Sequence, residues 1–292
     1  MNNLCVRVNA YGKMFYGRHC PRSVLAGQAE IGSWMNLSSL NGLRPVALTS
    51  AVMKVCDQVV LCKLDSLVKD YTDPLQFAYR RNRSTDNAVL YVLENIYSHL
   101  QKAGSSIRLM FFDFSSAFNT IQPHLLVRKL LNIKLPSPVI SWIFDYLTNR
   151  LQYLRLTGVL SSVVCTDSGA PQGTVLAPFL FSLSTADCRS TDESCPLVKF
   201  ADDTELVGRI SNDEDALYHK QIENFVNWCD ENYLYLNASK TEEMCIDFRK
   251  NQRCPKPVCI KGEAVERVET YKYLGVVFYN KLNRKENINS VL

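Results

Sequence analysis

Two adjacent aspartates, Asp202 and Asp203, stand between two short apolar runs of the sequence. The first run covers residues 196–199 and the second covers residues 206–208. This pattern predicts a strand, a turn and a return strand, with both carboxylates presented at the tip of the hairpin. Adjacent carboxylates repel each other unless a cation lies between them, and Mg²⁺ prefers oxygen ligands, so a metal site is one interpretation. Ordinary turn chemistry is the other, because Asp is common in turns.

The composition allows several classes of protein. A chain of 292 residues suffices for one large domain or two ordinary ones, and 47% hydrophobic residues can fill a core. A net charge of +4 permits nucleic-acid binding without requiring it. The 11 cysteines include no Cys-x-x-Cys pair and the N-terminus shows no signal peptide, which predicts an intracellular protein, nuclear or cytoplasmic. No apolar run is long enough to span a bilayer, so no membrane partner is expected.

Helical and strand patterns alternate along the chain and predict an α+β fold. Ser84 begins a helical pattern that ends at Gly104, and the apolar run at residues 107–112 predicts a buried strand that ends at Asp113. Residues 1–40 show no sustained periodicity and are expected to be irregular. The other expected elements are helices after Pro123, from Pro138, over 174–186 and over 215–236, a hairpin over 152–166, and strands at 243–248, 257–260 and 271–278.

Asp113 is a third acid at the end of a strand. Nucleotidyl transfer by two metal ions requires carboxylates that hold two cations about 4 Å apart. A lone Asp at a strand end is more often a cap. Three acids at strand ends, Asp113 together with Asp202 and Asp203, favour metal-assisted nucleotidyl transfer.

Seven motifs, in this order and spacing, resemble those of the reverse transcriptases of non-LTR (LINE-type) retrotransposons, particularly the vertebrate elements. The resemblance covers residues 43–278, and the string Ser-Ser-Ala-Phe-Asn-Thr at 115–120 separates this group from retroviral enzymes. The motifs are Arg-Pro-Val-Ala-Leu-Thr-Ser at 44–50, Leu-Gln-Phe-Ala-Tyr-Arg at 75–80, Phe-Asp-Phe-Ser-Ser-Ala-Phe-Asn-Thr-Ile at 112–121, Gly-Ala-Pro-Gln-Gly-Thr-Val-Leu at 169–176, Phe-Ala-Asp-Asp at 200–203, Leu-Asn-Ala-Ser-Lys-Thr at 236–241 and Tyr-Leu-Gly at 273–275.

The resemblance implies the architecture of a right-hand polymerase, truncated at both ends. Its palm would be a mixed or antiparallel sheet packed on helices, joined to fingers, with the thumb largely missing. The implied division is a segment without family match at 1–40, a fingers portion at 41–110, the palm with its catalytic motifs at 111–278, and a tail at 279–292 too short for a thumb.

The resemblance also implies a catalytic site. Asp113 and Asp202 would hold two Mg²⁺ ions, with Mn²⁺ as an alternative. Asp203 would be a weaker third carboxylate, and the Phe114 carbonyl would complete the metal shell.

Further positions would contact the nucleotide and its template. Phe118 would crowd a ribose 2′-hydroxyl and so favour deoxynucleotides, although a core aromatic is the alternative. Gln172 would touch the incoming nucleotide or its template base, and Gly173 would let the backbone approach the strand. Lys240 would lie beside the leaving pyrophosphate, although an exposed turn lysine is the alternative.

The last implied contacts are with phosphates and the primer. Arg80 and Arg83 would hold phosphates through paired hydrogen bonds, although a solvated surface is the alternative. Tyr273, Leu274 and Gly275 would grip the primer end, with Leu274 also suited to the core.

These roles predict an RNA-directed DNA polymerase that extends a DNA primer on an RNA template from deoxynucleoside triphosphates. The alternative is a truncated, inactive element remnant that is at most a weak nucleic-acid-binding module. Every quoted catalytic position holds a competent residue, which favours the enzyme, whereas the missing ends favour the remnant.

Overall fold

The computed structural model describes residues 24–29, 45–47, 49–156, 159–250 and 255–282. Predictions for the rest of residues 1–44 and for residues 283–292 lie outside the described residues. The helices in these ranges are α1 (Ala51–Val68), α2 (Thr85–Leu100), α3 (Pro123–Asn132), α4 (Ser137–Leu147), α5 (Leu176–Ser184) and α6 (Ala216–Glu231).

The strands of the described residues are short, and many pair locally. They are β1 (Val24–Ala29), β2 (Pro45–Ala47), β3 (Ser105–Phe112), β4 (Arg150–Leu156), β5 (Val159–Leu160), β6 (Val164–Thr166), β7 (Leu197–Phe200), β8 (Asp203–Ser211), β9 (Glu242–Ile246), β10 (Cys259–Ile260), β11 (Glu263–Ala264), β12 (Glu266–Arg267), β13 (Thr270–Tyr273) and β14 (Val276–Tyr279).

The chain forms two compact units that alternate along the sequence. The first unit contains residues 1–72 and 118–185, and the second contains residues 73–117 and 186–292. The sequence had predicted consecutive fingers and palm segments, and that assignment remains a prediction.

The second unit is built on a five-stranded sheet in the order β12-β9-β3-β8-β7. The central strand β3 pairs antiparallel with both β8 and β9, and β7 pairs antiparallel with β8. β12 pairs parallel with β9. Because β3 is central, its end lies beside the ends of strands that are about 100 residues away along the chain.

Both faces of β3 are buried, as its apolar run predicted. Ile107, Leu109 and Phe111 alternate along one face and belong to the core that α2 covers. On the other face, Phe112 packs against Phe225 of α6, with ring centroids 4.2 Å apart. Residues at alternate positions of one strand therefore join two helices through the same sheet.

Helix α2 begins and ends close to where its sequence signals predicted. The Ser84 hydroxyl accepts from the Asn87 amide, and the Asn87 side chain accepts from the Ser84 amide, which forms a capping box. Val89, Val92 and Ile96 form the buried stripe. Tyr97, in the same helix, is 45% exposed.

The first unit contains a separate sheet in the order β2-β1-β4-β5, with β6 also paired to β4. Helices α1, α3, α4 and α5 belong to this unit, and α3 and α4 each have a proline in their first turn, as predicted. The Tyr146 hydroxyl donates to the Thr174 hydroxyl at 3.1 Å and links α4 to the segment before α5.

Several boundaries differ from the predictions. The strand expected over 271–278 is the β13–β14 hairpin, because Leu274 and Gly275 both have positive φ and reverse the chain. The helices expected over 174–186 and 215–236 are shorter, and β1 lies within the segment expected to be irregular. No helix within the described ranges is long and apolar enough to cross a membrane.

Candidate active site

The β7–β8 hairpin presents the two adjacent aspartates, which confirms the predicted hairpin. Phe200 pairs with Asp203 across it, so Ala201 and Asp202 form a two-residue turn, called the acid turn below. Ala201 is buried and has a φ of +60°, a left-handed conformation that costs a non-glycine residue about 1–2 kcal/mol. Asp202 is half-buried and Asp203 is exposed, so both carboxylates can reach solvent.

Asp113 lies at the same edge of the sheet. In the antiparallel pair of β3 and β8, Phe112 is opposite Thr204. Asp113 follows Phe112 directly, so continuing the register by one residue places it beside Asp203. The fold therefore brings an acid from one part of the chain to the acid turn some 90 residues later.

Two tyrosines lie within the electrostatic range of these acids. Burial, and then several surrounding acids that include Asp203 and Asp113, raises the pKa of Tyr271 to about 12. Burial, and then Asp202 and Asp203, also raises the pKa of Tyr79. Each phenol resists ionisation first because burial disfavours its anion, and then because that anion would add negative charge beside carboxylates. The carboxylates give this edge of the sheet a negative electrostatic potential, which suits a cation.

The donor chemistry of this edge fits a hard divalent cation. Asp113, Asp202 and Asp203 supply carboxylate oxygens, the ligands that Mg²⁺ prefers. Among the described residues, no group of three His, Cys, Asp or Glu side chains is already gathered as a metal cluster.

The segment that carries Lys240 is attached to the strand end of Asp113. The Asn237 amide donates to the Asp113 carbonyl at 2.9 Å, and the Asp113 amide donates to the Thr241 hydroxyl at 3.4 Å. Phe114 also pairs with this segment through an isolated antiparallel bridge. Thr241 is fully buried whereas Lys240 is exposed, so the anchored segment presents a cation to solvent.

The two arginines predicted to bind phosphates have partners within their own segment. Arg80 Nη1 donates to the Asp73 carbonyl at 2.7 Å. The Arg83 guanidinium lies over the Phe77 ring, 4.9 Å from its centroid. Arg80 is half-buried and Arg83 is exposed. A guanidinium has five N–H donors, so these contacts leave room for a phosphate, and the role remains a prediction.

Phe118, Gln172 and Gly173, the other nucleotide-contact candidates, lie in the first unit. The Phe118 ring packs against Phe181 with centroids 4.7 Å apart, the kind of contact that a core aromatic makes. Gln172 Nε2 donates to the Asn119 side-chain oxygen at 3.3 Å. Gly173 is exposed with a φ of +93°, a conformation that favours glycine. Their roles toward the nucleotide remain predictions.

The predicted primer-contact residues form the tip of the β13–β14 hairpin. Tyr273 pairs with Val276, and Leu274 and Gly275 form a two-residue turn with φ values of +47° and +89°. Gly275 is exposed and Leu274 is partly buried. Tyr273 is only 3% exposed and belongs to the core, so the surface of this turn is formed by the other two residues.

A completely buried acid, Glu205, lies two residues beyond Asp203 in β8. Burial raises its pKa well above the ordinary value, and the Tyr273 hydroxyl is the polar group that moderates this rise. Neither carboxyl oxygen has a well-formed hydrogen bond within the described part of the chain. The carboxyl therefore favours its neutral form.

Sequence reasoning did not single out Gln76, Tyr79, Glu205 or Tyr271. Gln76 and Tyr79 lie inside the quoted motif at 75–80, so the signal was present but carried no assigned role. Glu205 and Tyr271 gain their importance from strand pairing, which local sequence does not reveal.

Residues 36–278 match the family of reverse transcriptases (RNA-dependent DNA polymerases). This match covers most of the chain, so the chain belongs to the reverse transcriptase family. Members of the family generally use divalent metal ions.

Curated relatives come from non-LTR retrotransposons, which confirms the predicted group. The probable RNA-directed DNA polymerase from transposon X-element of Drosophila melanogaster is 27% identical over 259 residues, covering 85% of this chain and 28% of the relative. The Pol polyprotein from the type-1 retrotransposable element R2 of Popillia japonica is 24% identical over 263 residues, covering 83% of this chain and 36% of the relative. The chain thus spans only part of such relatives. The narrower vertebrate assignment remains a prediction.

Solved telomerase structures share the fold. Apo telomerase from Candida tropicalis, truncated from its C-terminal domain, superposes with a TM-score of 0.56 at 12% identity, covering 89% of this chain and 54% of that chain. Telomerase from Candida albicans, in complex with a fragment of telomeric RNA, gives a TM-score of 0.54 at 12% identity, covering 89% of this chain and 46% of that chain. The similarity confirms the predicted α+β polymerase palm.

Proposed function

We propose that this chain is the catalytic core of a retrotransposon reverse transcriptase that extends a DNA primer on an RNA template. The observation that carries the proposal is the register of β3 and β8, which places Asp113 beside Asp203 and next to the acid turn. Membership of the reverse transcriptase family supports the reaction type.

The carboxylates of Asp113 and Asp202 would hold two Mg²⁺ ions, or Mn²⁺. Asp203 and the Phe114 carbonyl would supply further oxygens. When bound, such ions activate the primer hydroxyl and stabilise the leaving pyrophosphate. Lys240, exposed on a segment anchored to Asp113, would place a positive charge or a proton near that pyrophosphate.

The remaining candidates would bind and select substrates, which are deoxynucleoside triphosphates, the RNA template and the DNA primer. Phosphates attract guanidinium groups, an aromatic ring can exclude a 2′-hydroxyl, and exposed glycines allow a strand to approach. The residues proposed for these contacts are Arg80, Arg83, Phe118, Gln172, Gly173, Tyr273, Leu274 and Gly275.

Primer extension by the purified chain tests the proposal. The substrate is a DNA primer annealed to an RNA template, with deoxynucleoside triphosphates and Mg²⁺. We expect extension by the unsubstituted chain and none above background by Asp113→Ala or Asp202→Ala, because each substitution removes a metal ligand. Glu223→Gln is the matched control, since this acid lies on α6 with its side chain 61% exposed, and it should keep full activity.

Two outcomes would contradict the proposal. Extension that survives Asp202→Ala would assign the activity to a contaminant or to another site. No extension by the unsubstituted chain under Mg²⁺ or Mn²⁺ would favour the inactive remnant instead.

A further inference from the structure

A short segment around Gln76 lies along β7, the strand that leads into the acid turn. Gln76 pairs with Lys199 in an isolated parallel bridge. The Phe77 amide donates to the Lys199 carbonyl at 2.8 Å, and the Lys199 amide donates to the Leu75 carbonyl at 2.9 Å. The segment therefore extends the sheet beside the residues that position the acid turn.

A buried ion pair ties the same segment to β7. Lys199 Nζ lies 2.7 Å from Asp73 Oδ2, and both side chains are 3% exposed. Lys199 Nζ also donates to the Cys188 carbonyl at 2.6 Å. Buried charges are tolerated only when they are paired, so separating the segment from β7 is unfavourable.

The Gln76 side chain binds the backbone of the acid turn directly. Its Oε1 accepts from the amides of Ala201 and Ala78, each at 3.0 Å. Its Nε2 donates to the Ala201 carbonyl at 3.2 Å. Gln76 is 3% exposed, so water does not readily replace these contacts. One side chain thus satisfies both backbone polar groups of Ala201.

These contacts hold a residue in a conformation it does not favour. Ala201 has a φ of +60° and lacks the conformational freedom of glycine. Without Gln76, its buried amide and carbonyl would lose their partners, which favours a rearranged turn. The peptide on the C-terminal side of Ala201 leads directly into Asp202, so its orientation determines where the Asp202 carboxylate points.

We propose that Gln76 is a positioning residue that keeps the acid turn in the conformation in which Asp202 can bind a metal ion. The inference rests on the proposed function, because that function makes Asp202 a metal ligand. Partners that orient a metal ligand commonly change metal affinity or activity about 10- to 100-fold when they are removed.

Gln221 provides a matched control within the same unit. It is 4% exposed, and its Oε1 accepts from the Thr191 amide at 3.2 Å and the Ser190 hydroxyl at 3.3 Å. Its Nε2 donates to the Thr191 hydroxyl at 2.6 Å. Gln221→Leu therefore removes a buried glutamine with a similar set of hydrogen bonds, but none of these bonds reaches the acid turn.

Metal binding and kinetics of three variants test the role. Mn²⁺ is titrated into wild type, Gln76→Leu, Gln76→Met and Gln221→Leu, and free Mn²⁺ is followed by electron paramagnetic resonance. We expect both Gln76 variants to bind Mn²⁺ about 10-fold more weakly or worse, with kcat for primer extension reduced about 10- to 100-fold and the nucleotide KM little changed. Gln221→Leu should keep the wild-type affinity and kcat. Gln76→Met retains an unbranched side chain of similar length and serves if the leucine variant folds poorly.

Amide hydrogen exchange separates failure of this inference from failure of the proposed function. The Gln76 variants should exchange faster than wild type in the peptide that covers residues 198–204, and Gln221→Leu should not. Unchanged exchange there overturns the contact between Gln76 and the acid turn, whatever the activity. Faster exchange with unchanged Mn²⁺ affinity, or equal losses in Gln221→Leu, overturns the positioning role. Wild type that binds no Mn²⁺ overturns the metal site itself, and the positioning role with it.

Discussion

Arg108 is a buried cation in the central strand of the second unit, and its replacement by methionine should be costly. Its side chain is 3% exposed, and Nη1 and Nη2 lie 2.6 Å from carboxylate oxygens of Asp215 and Glu243, respectively. The guanidinium also lies 4.6 Å from the centroid of the Tyr218 ring. Arg108→Met removes the charge but keeps much of the side-chain volume, so the effect reports mainly the lost ion pairs.

The expected loss in the free energy of unfolding depends on the partners that Glu243 keeps in the variant. Removing one partner of a buried pair typically costs about 3–5 kcal/mol, because the other charge stays buried. Glu243 keeps Arg267, at 3.0 Å, and the Tyr218 hydroxyl, at 3.1 Å. We therefore expect Arg108→Met to lower the free energy of unfolding by about 3 kcal/mol, the lower end of that range. The melting temperature should fall by about 6–12 °C for a unit of this size.

Urea unfolding followed by circular dichroism measures the loss. Lys220→Met is the control, since Lys220 pairs with Glu223 on the surface with side chains 60% and 61% exposed, and such pairs contribute at most about 1 kcal/mol. The double variant Arg108→Met with Glu243→Met should lose less stability than the sum of the losses of the two single variants, because both substitutions remove the same ion pair. A loss below about 1 kcal/mol in Arg108→Met, or losses of the two single variants that simply add up in the double variant, would refute this reasoning.

Two further variants test burial in β8. Burial raises the pKa of Glu205, so the native protein keeps a proton that the unfolded chain releases above about pH 4.3. The contribution of Glu205 to wild-type stability should therefore fall as pH rises, by up to about 1.4 kcal/mol per pH unit, until the native pKa is reached. Glu205→Gln should remove this dependence, so its stability advantage over wild type should grow as pH rises from about 5 to 8. A difference between the urea unfolding midpoints of the two proteins that does not change with pH would contradict the buried neutral acid. Gly208→Ala should lose about 1–3 kcal/mol, because the added Cβ would lie 2.4 Å from a ring carbon of Tyr218, and an unchanged unfolding midpoint would show that the ring moves away freely.

Local signals predicted the elements that hold the candidate site. Ser84 with its helical pattern located α2, the apolar run before Asp113 located β3, and the runs around Asp202 located the β7–β8 hairpin. Caps, turns and alternating apolar residues act between near neighbours in the chain, so they can be recognised without knowledge of the fold.

Other features escaped prediction because they depend on distant partners. Arg108 stands in an apolar run, and only its carboxylate partners on β9 and beside α6 explain how it is buried. The strand expected over 271–278 contains a turn. Its two central residues, Leu274 and Gly275, both have positive φ, but only one of them is glycine. Tyr273, predicted to contact the primer, is part of the buried core of the second unit, which its local sequence does not reveal, and its role toward the primer remains a prediction.

The amino-acid sequence alone determined the family, the hairpin and the identity of the three acids, because motif order and local periodicity carry that information. Only the tertiary structure decided which groups surround the acids. The β3–β8 register places Asp113 beside Asp203, and Gln76 reaches Ala201 across 125 residues of sequence. Such contacts arise from strand pairing and from the need of buried polar groups for partners, and both are settled only when the whole sheet forms.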